Sequence, residues 1–203
     1  MVIAPILLSL LLYLLPLRAS TVLAGGVHAA LLGAAVYLFW RTRFCGDTIV
    51  AQTGAEGLLQ ITLFCDLIAS VFLVLVTFLF FCIFLYSFRK SAANRLYGFL
   101  LTVLEGLILL FFLSRDLFNL YVAIEISVVV CAILIMYKRE SRSVYDGMVY
   151  LLLNIAGMLF FLLGIGLLYR QTGMLDIILI EERMTGMSLK EVALPYACLL
   201  YTS

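Results

Sequence analysis

Two carboxylates fall where ionised groups are expensive. Glu105 and Glu125 each lie near the middle of an apolar run long enough to cross a bilayer. An ionised carboxylate at that depth costs at least ~2.5 kcal/mol on insertion scales, so it must be neutralised, paired or hydrated inside the protein. Acids so placed are candidates for relaying protons, Glu125 first and Glu105 second. The plainer alternative for either is a protonated acid bonded to a neighbouring helix. Asp66 opens another apolar run and is a third candidate, with an equal case for a helix-start residue favoured by the helix dipole. The one histidine, His28, follows Gly25 and Gly26 within an apolar run. It could carry a proton, but packing or hydrogen bonding between helices is the stronger reading.

The composition says what must hold these groups. Hydrophobic residues make up 66% of the 203 and charged residues 12%, about half the roughly 25% of a soluble domain. Most of the surface therefore faces lipid or other apolar helices. A formal net charge of +1 argues against a nucleic-acid binder, which needs a basic patch. Six runs are candidate spans: about 2–17, 21–40, 61–87, 97–113, 117–137 and 147–169, with a seventh starting near Val192. The expected fold is an all-α, polytopic transmembrane helix bundle. Residues 1–60 form an N-terminal helical hairpin with an external loop, and 61–203 the first part of a larger transmembrane domain. Arg18, Ala19 and Ser20 are the expected turn of the hairpin, and Trp40 stands at the end of the second run, where an interfacial aromatic belongs.

Between the runs, segment 41–60 is polar, and its alternating DTIVAQ predicts a short strand or hairpin outside the bilayer. The 171–191 stretch mixes apolar and charged residues and reads as interfacial and amphipathic. Loop 88–96 holds Arg89, Lys90 and Arg95, and loop 138–146 holds Lys138, Arg139 and Arg142. The positive-inside rule places both loops in the cytoplasm and the N-terminus outside the cell membrane. The 138–146 cluster, with Glu140 and Asp146, is best read as a solvated loop that fixes topology. Asp116 is a candidate helix cap with Asn119 behind it. Asn154 should serve helix packing, and Gly157, Gly164 and Gly166 should let a neighbouring helix approach.

Other chemistry is missing. The five cysteines (Cys45, Cys65, Cys82, Cys131, Cys198) show no CxxC and no metal-ligand spacing and read as small hydrophobes. No phosphate-binding loop, zinc signature or nucleophile elbow occurs, so no cofactor or metal is expected. The N-terminus lacks the basic start of a signal peptide and reads as a retained first helix.

The string SRDLFNLYVAIEIS, from Ser114 to Ser127, resembles the fifth-helix motif of antiporter-like subunits. These occur in Mrp-type Na+/H+ antiporters, energy-converting membrane-bound hydrogenases and respiratory complex I. DLFNLYV followed by Glu125 is similar above all to the Mrp D-type and hydrogenase-associated branch. YLLLNIAGMLFFLLGIGLLYRQTGMLDI, from Tyr150 to Ile177, resembles the family's sixth helix and its exit, and Asp66 stands at the position of the family's "VDxLS". The resemblance covers most of 60–195.

The resemblance implies that Glu125 matches the family's proton-transferring glutamate. It also implies a subunit that relays H+, with Na+ as a second candidate ion, among other membrane subunits that hold any redox chemistry, as in a hydrogenase or an NADH–quinone oxidoreductase. The chain departs from the pattern in three places. Arg115 replaces the motif's glycine, Ala123–Ile124 replaces an aromatic pair, and Glu105 stands where the family is small or apolar. The pump lysine of the family's seventh helix has no counterpart here, since Lys190 precedes the apolar run. The chain is therefore expected to be an N-terminal piece of a longer subunit, with CLLYTS at 198–203 a non-native end. The rival reading is a structural or assembly subunit of such a complex, without transport of its own.

Overall fold

In lipid each unsatisfied backbone polar group costs several kcal/mol, so an apolar chain satisfies its backbone within helices. The computed structural model follows that rule. It describes residues 3–14, 17–46, 48–53, 61–89, 95–138 and 140–184. Seven α-helices occur among them: α1 (Ile3–Leu14), α2 (Leu17–Trp40), α3 (Leu67–Arg89), α4 (Arg95–Leu113), α5 (Leu117–Ile135), α6 (Ser141–Thr172) and α7 (Ile177–Met184). Five of these, α2 to α6, are long and apolar enough to cross a membrane. α1 has 12 residues, fewer than the roughly 20 a span needs. The seventh expected run, near Val192, lies outside the described residues, as do Lys190 and 198–203.

Several boundaries differ from the sequence expectation. Arg18, Ala19 and Ser20 lie inside α2 rather than in a turn, because nothing in that tripeptide breaks a helix. The run from 61 is not helical throughout. Ile61–Cys65 is a strand, β2, paired with β1 (Ile49–Thr53) in a two-stranded sheet. The ITLFC sequence is β-branched and aromatic, which suits a strand, and Asp66 then starts α3. The DTIVAQ expectation thus finds its strand, with Asp47 itself outside the described residues. α2 ends in a π-helical turn, Arg41–Cys45, closed by Gly46 at φ 67°, a conformation that favours glycine.

α6 is also longer than expected. Its 32 residues make it about 48 Å long at 1.5 Å per residue, well beyond the ~30 Å hydrocarbon core. Arg142 and Asp146, expected in a loop, sit in its first turns, where the helix continues past the apolar part of its sequence.

The chain divides into two compact units. The first comprises Met1–Ala51 and Leu63–Leu113, the second Gln52–Thr62 and Ser114–Ser203. In the first, α2 packs on α3, α3 on α4, and α1 on α4. Its core joins Val27, Leu31 and Ala35 of α2 to Leu73, Val76 and Phe80 of α3 and Leu101, Leu109 and Leu113 of α4. The outward residues of α3 are equally apolar, among them Ile68, Leu75, Phe78 and Leu79, as expected of a helix that meets lipid. Lipid tails are as apolar as leucine, so close packing and hydrogen bonds must hold such helices together. Gly106 accordingly lies against Pro5 and Ile6 of α1, where an added Cβ would come within 3.2 Å of a proline ring carbon.

In the second unit α5 packs on α6. A close approach occurs at Gly147, while of the expected glycines Gly164 is buried and Gly157 and Gly166 are open. A Cβ at Gly147 would collide with Met136 Cγ and lie 3.2 Å from the Ala132 carbonyl oxygen, whereas Gly157 and Gly166 have nothing within 4 Å. Asn154 donates to the Tyr150 carbonyl of its own helix at 2.8 Å rather than to a neighbour. Gly147→Ala is therefore expected to destabilise the protein by about 1–3 kcal/mol, the usual range for overpacking. Met136 can swing aside, but the carbonyl cannot. Thermal denaturation of the solubilised protein should show a lowered midpoint for Gly147→Ala and none for Gly157→Ala. Equal midpoints would show that the α5–α6 contact yields without strain.

Candidate functional site

The helical period puts a set of polar residues onto the buried faces of the first unit. On α3, Ser70 and Thr77 are seven residues apart and share one face, with Asp66 just before the helix; on α4, Thr102 and Glu105 are three apart. Ser70, Thr77, Thr102 and Glu105 are fully buried. The hydroxyls mostly satisfy themselves on their own helices. Ser70 donates to the Leu67 carbonyl at 2.7 Å, Thr77 to that of Leu73 at 2.8 Å and Thr102 to that of Gly98 at 2.9 Å. Ser70 also meets Thr42 Oγ1 at 2.9 Å.

Glu105 has no such local partner. Its Oε2 lies 2.5 Å from His28 Nδ1 of α2, with the two side chains 0% and 1% exposed. The expected hydrogen-bonding role of His28 is thus met, and by the second-ranked carboxylate. Glu105 Oε1 is buried with no hydrogen-bond partner among the described residues. The imidazole is covered by Phe84 of α3, with ring centroids 5.2 Å apart and planes at 38°. Gly25 makes room for that ring, since a Cβ there would come 3.0 Å from Phe84 Cε1. The pair had no signal in sequence spacing, because its members are 77 residues apart. A signal did exist in chemistry: a buried acid needs a partner, and the chain has one histidine.

Asp66 belongs to the same unit but acts at a helix start. Its Oδ1 accepts from the Ala69 amide at 2.7 Å and its carbonyl from the Ser70 amide at 3.0 Å, which is how a helix N-terminus is capped.

Glu125 lies in the second unit, midway along α5. The residue is half-buried, and its Oε2 is buried without a hydrogen-bond partner among the described residues. α5 is started by Asp116, whose side chain accepts from the Asn119 amide at 2.9 Å, as expected. The Asn119 side chain in turn donates to Ser114 Oγ at 2.8 Å. The structure adds a second aspartate cap that sequence reasoning missed. Asp176 starts α7 by accepting from the Ile178 amide at 3.0 Å. The two starts are tied by backbone bonds from Leu117 N to Leu175 O and from Ile177 N to Arg115 O, each 3.0 Å. Arg115, which departs from the family glycine, lies 4.0 Å from Asp176 Oδ1. Its charge thus sits between two acidic caps. Arg183 of α7 donates to the Thr172 carbonyl at 2.8 Å and holds the short helix to the end of α6. Among the described residues no group of three His, Cys, Asp or Glu is placed to hold a metal ion.

Comparison with known proteins bears on both units. Residues 114–201 match the family described as "NADH:quinone oxidoreductase/Mrp antiporter, TM". The chain is 38% identical over 76 residues to "Putative antiporter subunit mnhD2" of Staphylococcus saprophyticus subsp. saprophyticus, covering 37% of this chain and 15% of that one. It is 35% identical over 126 residues to the protein of the same description in Staphylococcus aureus (strain JH9), covering 60% of this chain and 25% of the relative. Among solved structures it is similar to a chain of the membrane-bound sulfane sulfur reductase, an archaeal respiratory membrane complex. The TM-score is 0.89 at 20% identity, over 98% of this chain and 42% of that one. A chain of the Mrp complex from Dietzia sp. DQ12-45-1b gives a TM-score of 0.79 at 21% identity, over 99% and 39%. At these identities the two structures speak for the fold. The matches span a quarter or less of the curated relatives and about two fifths of the solved chains.

Proposed function

We propose, for a chain that belongs to the antiporter-like family of membrane subunits, that it takes part in moving protons across the cell membrane, in exchange for Na+. It would do so within a complex of several membrane subunits, with the two basic connections, around Arg89 and Arg142, in the cytoplasm and the N-terminus outside. The observation that carries the reading is Glu125. A carboxylate halfway along an apolar spanning helix, with a buried oxygen that no described residue satisfies, is poorly explained as packing. An unsatisfied buried acceptor costs about 1–3 kcal/mol. A group kept at that cost can take up a proton and pass it on, and its charge can bias a partner along the path. Glu105 is a second carrier in the proposal. Asp66, which the capping bond occupies, is assigned a structural part.

The test is ion exchange in everted membrane vesicles. A respiration-driven pH gradient, followed by a fluorescent amine, should collapse on Na+ addition when the complete complex containing this chain is present. It should persist in vesicles from a strain lacking the gene. Dissipation without any response to Na+ would assign protons alone. A gradient identical in both strains would replace this reading with that of a structural subunit.

A further inference from the structure

The His28–Glu105 contact belongs to a different unit of the chain from the fifth-helix glutamate. We propose that His28 and Glu105 form a buried proton-binding site, which holds one proton shared between imidazole and carboxylate and exchanges it at the unpartnered Glu105 Oε1.

Three observations carry this. The first is isolation. Among the described residues, Glu105 and His28 are the acid and the base that unit one buries fully. The elements packed around them offer hydroxyls instead: Ser9 of α1, which donates to the Ile6 carbonyl, Ser70 and Thr77 of α3, and Thr102 of α4. Cys82 and Tyr86 of α3 and Tyr37 of α2 are exposed, and Tyr97 of α4 meets Ser87. Asp66 and Arg41 are only half-buried. Among the described residues no second charge is fully buried to balance the pair, and a state with net charge is disfavoured by desolvation. Of the possible forms, only those with one proton beyond the imidazole's own N–H are neutral overall.

The second observation is contact. At 2.5 Å between Nδ1 and Oε2 the proton can sit on either atom. Transfer breaks the Nδ1–H bond as the Oε2–H bond forms, turning an imidazolium–carboxylate pair into a neutral imidazole and a carboxylic acid. No other atom need move.

The third is the free oxygen. A pair that served only to join α2 to α4 would leave an acceptor buried and unsatisfied at Oε1, an arrangement that such structural bridges avoid. A carboxyl that takes up a proton at one oxygen can give up the proton held at the other, the C=O and C–OH roles exchanging. An imidazole can likewise gain a proton at one nitrogen and lose it from the other. The pair thus has one unpartnered end, Oε1 on the Glu105 side, at which the site can exchange its proton. The site is defined by unit one alone and does not depend on Glu125.

The experiment is infrared difference spectroscopy of the complete complex in lipid, stepped in pH. Wild type should show a carboxyl carbonyl band that changes with pH and shifts on deuteration. Glu105→Gln should remove it, His28→Gln should move its midpoint by about one pH unit or more, and Glu125→Gln should leave it in place. A band that survives in Glu105→Gln, or the absence of any pH-dependent band beyond the Glu125 signal, would overturn the proposal. If Glu105→Gln fails to assemble, Glu105→Asp decides: a shifted midpoint supports the site, and an unmoved one assigns the band elsewhere. Because proton binding is read directly, a negative transport assay leaves this result intact, and the reverse holds as well.

Discussion

Glu125→Gln is expected to lower ion exchange on the order of 100-fold, the lower end of what a positioned proton-transfer group contributes, with the complex assembled at wild-type levels. Glutamine keeps the length and shape of the side chain, so packing along α5 is preserved. What it loses is the ability to exist in two charge states. Its stability should hold, because the amide replaces a group whose Oε2 is already buried and unsatisfied among the described residues and need not be kept ionised. Loss of activity without loss of stability is the pattern of a group retained for function. Glu125→Asp retains the acid but withdraws it by one methylene, and should keep part of the activity. The measurement is the initial rate of gradient collapse in everted vesicles, normalised to complex content, beside the thermal midpoint of the solubilised complex. A wild-type rate in Glu125→Gln would remove the residue from the mechanism. A normal rate with a lowered midpoint would identify it as a packing group.

The parts of this picture that sequence made visible are those with a short-range physical cause. Long apolar runs become helices because lipid leaves the backbone no other partner, and α2 to α6 follow directly. Asp116 could be named as a cap because its partner, Asn119, is three residues away. Arg115 is different: as a departure from a motif it carried no reading until α7 brought Asp176 beside it. The boundary at Ile61–Cys65 was lost because a short apolar strand next to an apolar helix has the same composition, and only the pairing with β1 separates them. Close helix contact was expected where glycines are dense, at 157–166. A close contact occurs at Gly147, whose face meets Met136 and Ala132, whereas Gly157 and Gly166 face open space, a distinction that glycine content alone does not reveal. The His28–Glu105 pair depends on two helices meeting at one level, and no local pattern encodes that.

That pair also yields the largest expected change in stability. His28→Leu would remove the one described partner of Glu105 and leave both carboxyl oxygens buried and unsatisfied. At about 1–3 kcal/mol for a neutral group so stranded, rising to about 3–5 kcal/mol if it stays ionised, the variant should assemble poorly or denature well below wild type. Glu105→Leu should be milder, because the imidazole it strands is readily neutral. The double variant His28→Leu/Glu105→Leu should recover most of the loss, since it replaces the pair by apolar groups of similar size against Leu101, Leu109 and Val27, and buried ion pairs are often matched or exceeded in stability by such replacements. A double-mutant cycle on thermal midpoints would measure the coupling. Recovery in the double variant means that packing alone can hold α2 to α4, so the pair is retained for what it does with a proton. A double variant as unstable as the sum of the singles would instead make His28–Glu105 the bond that holds the first unit together.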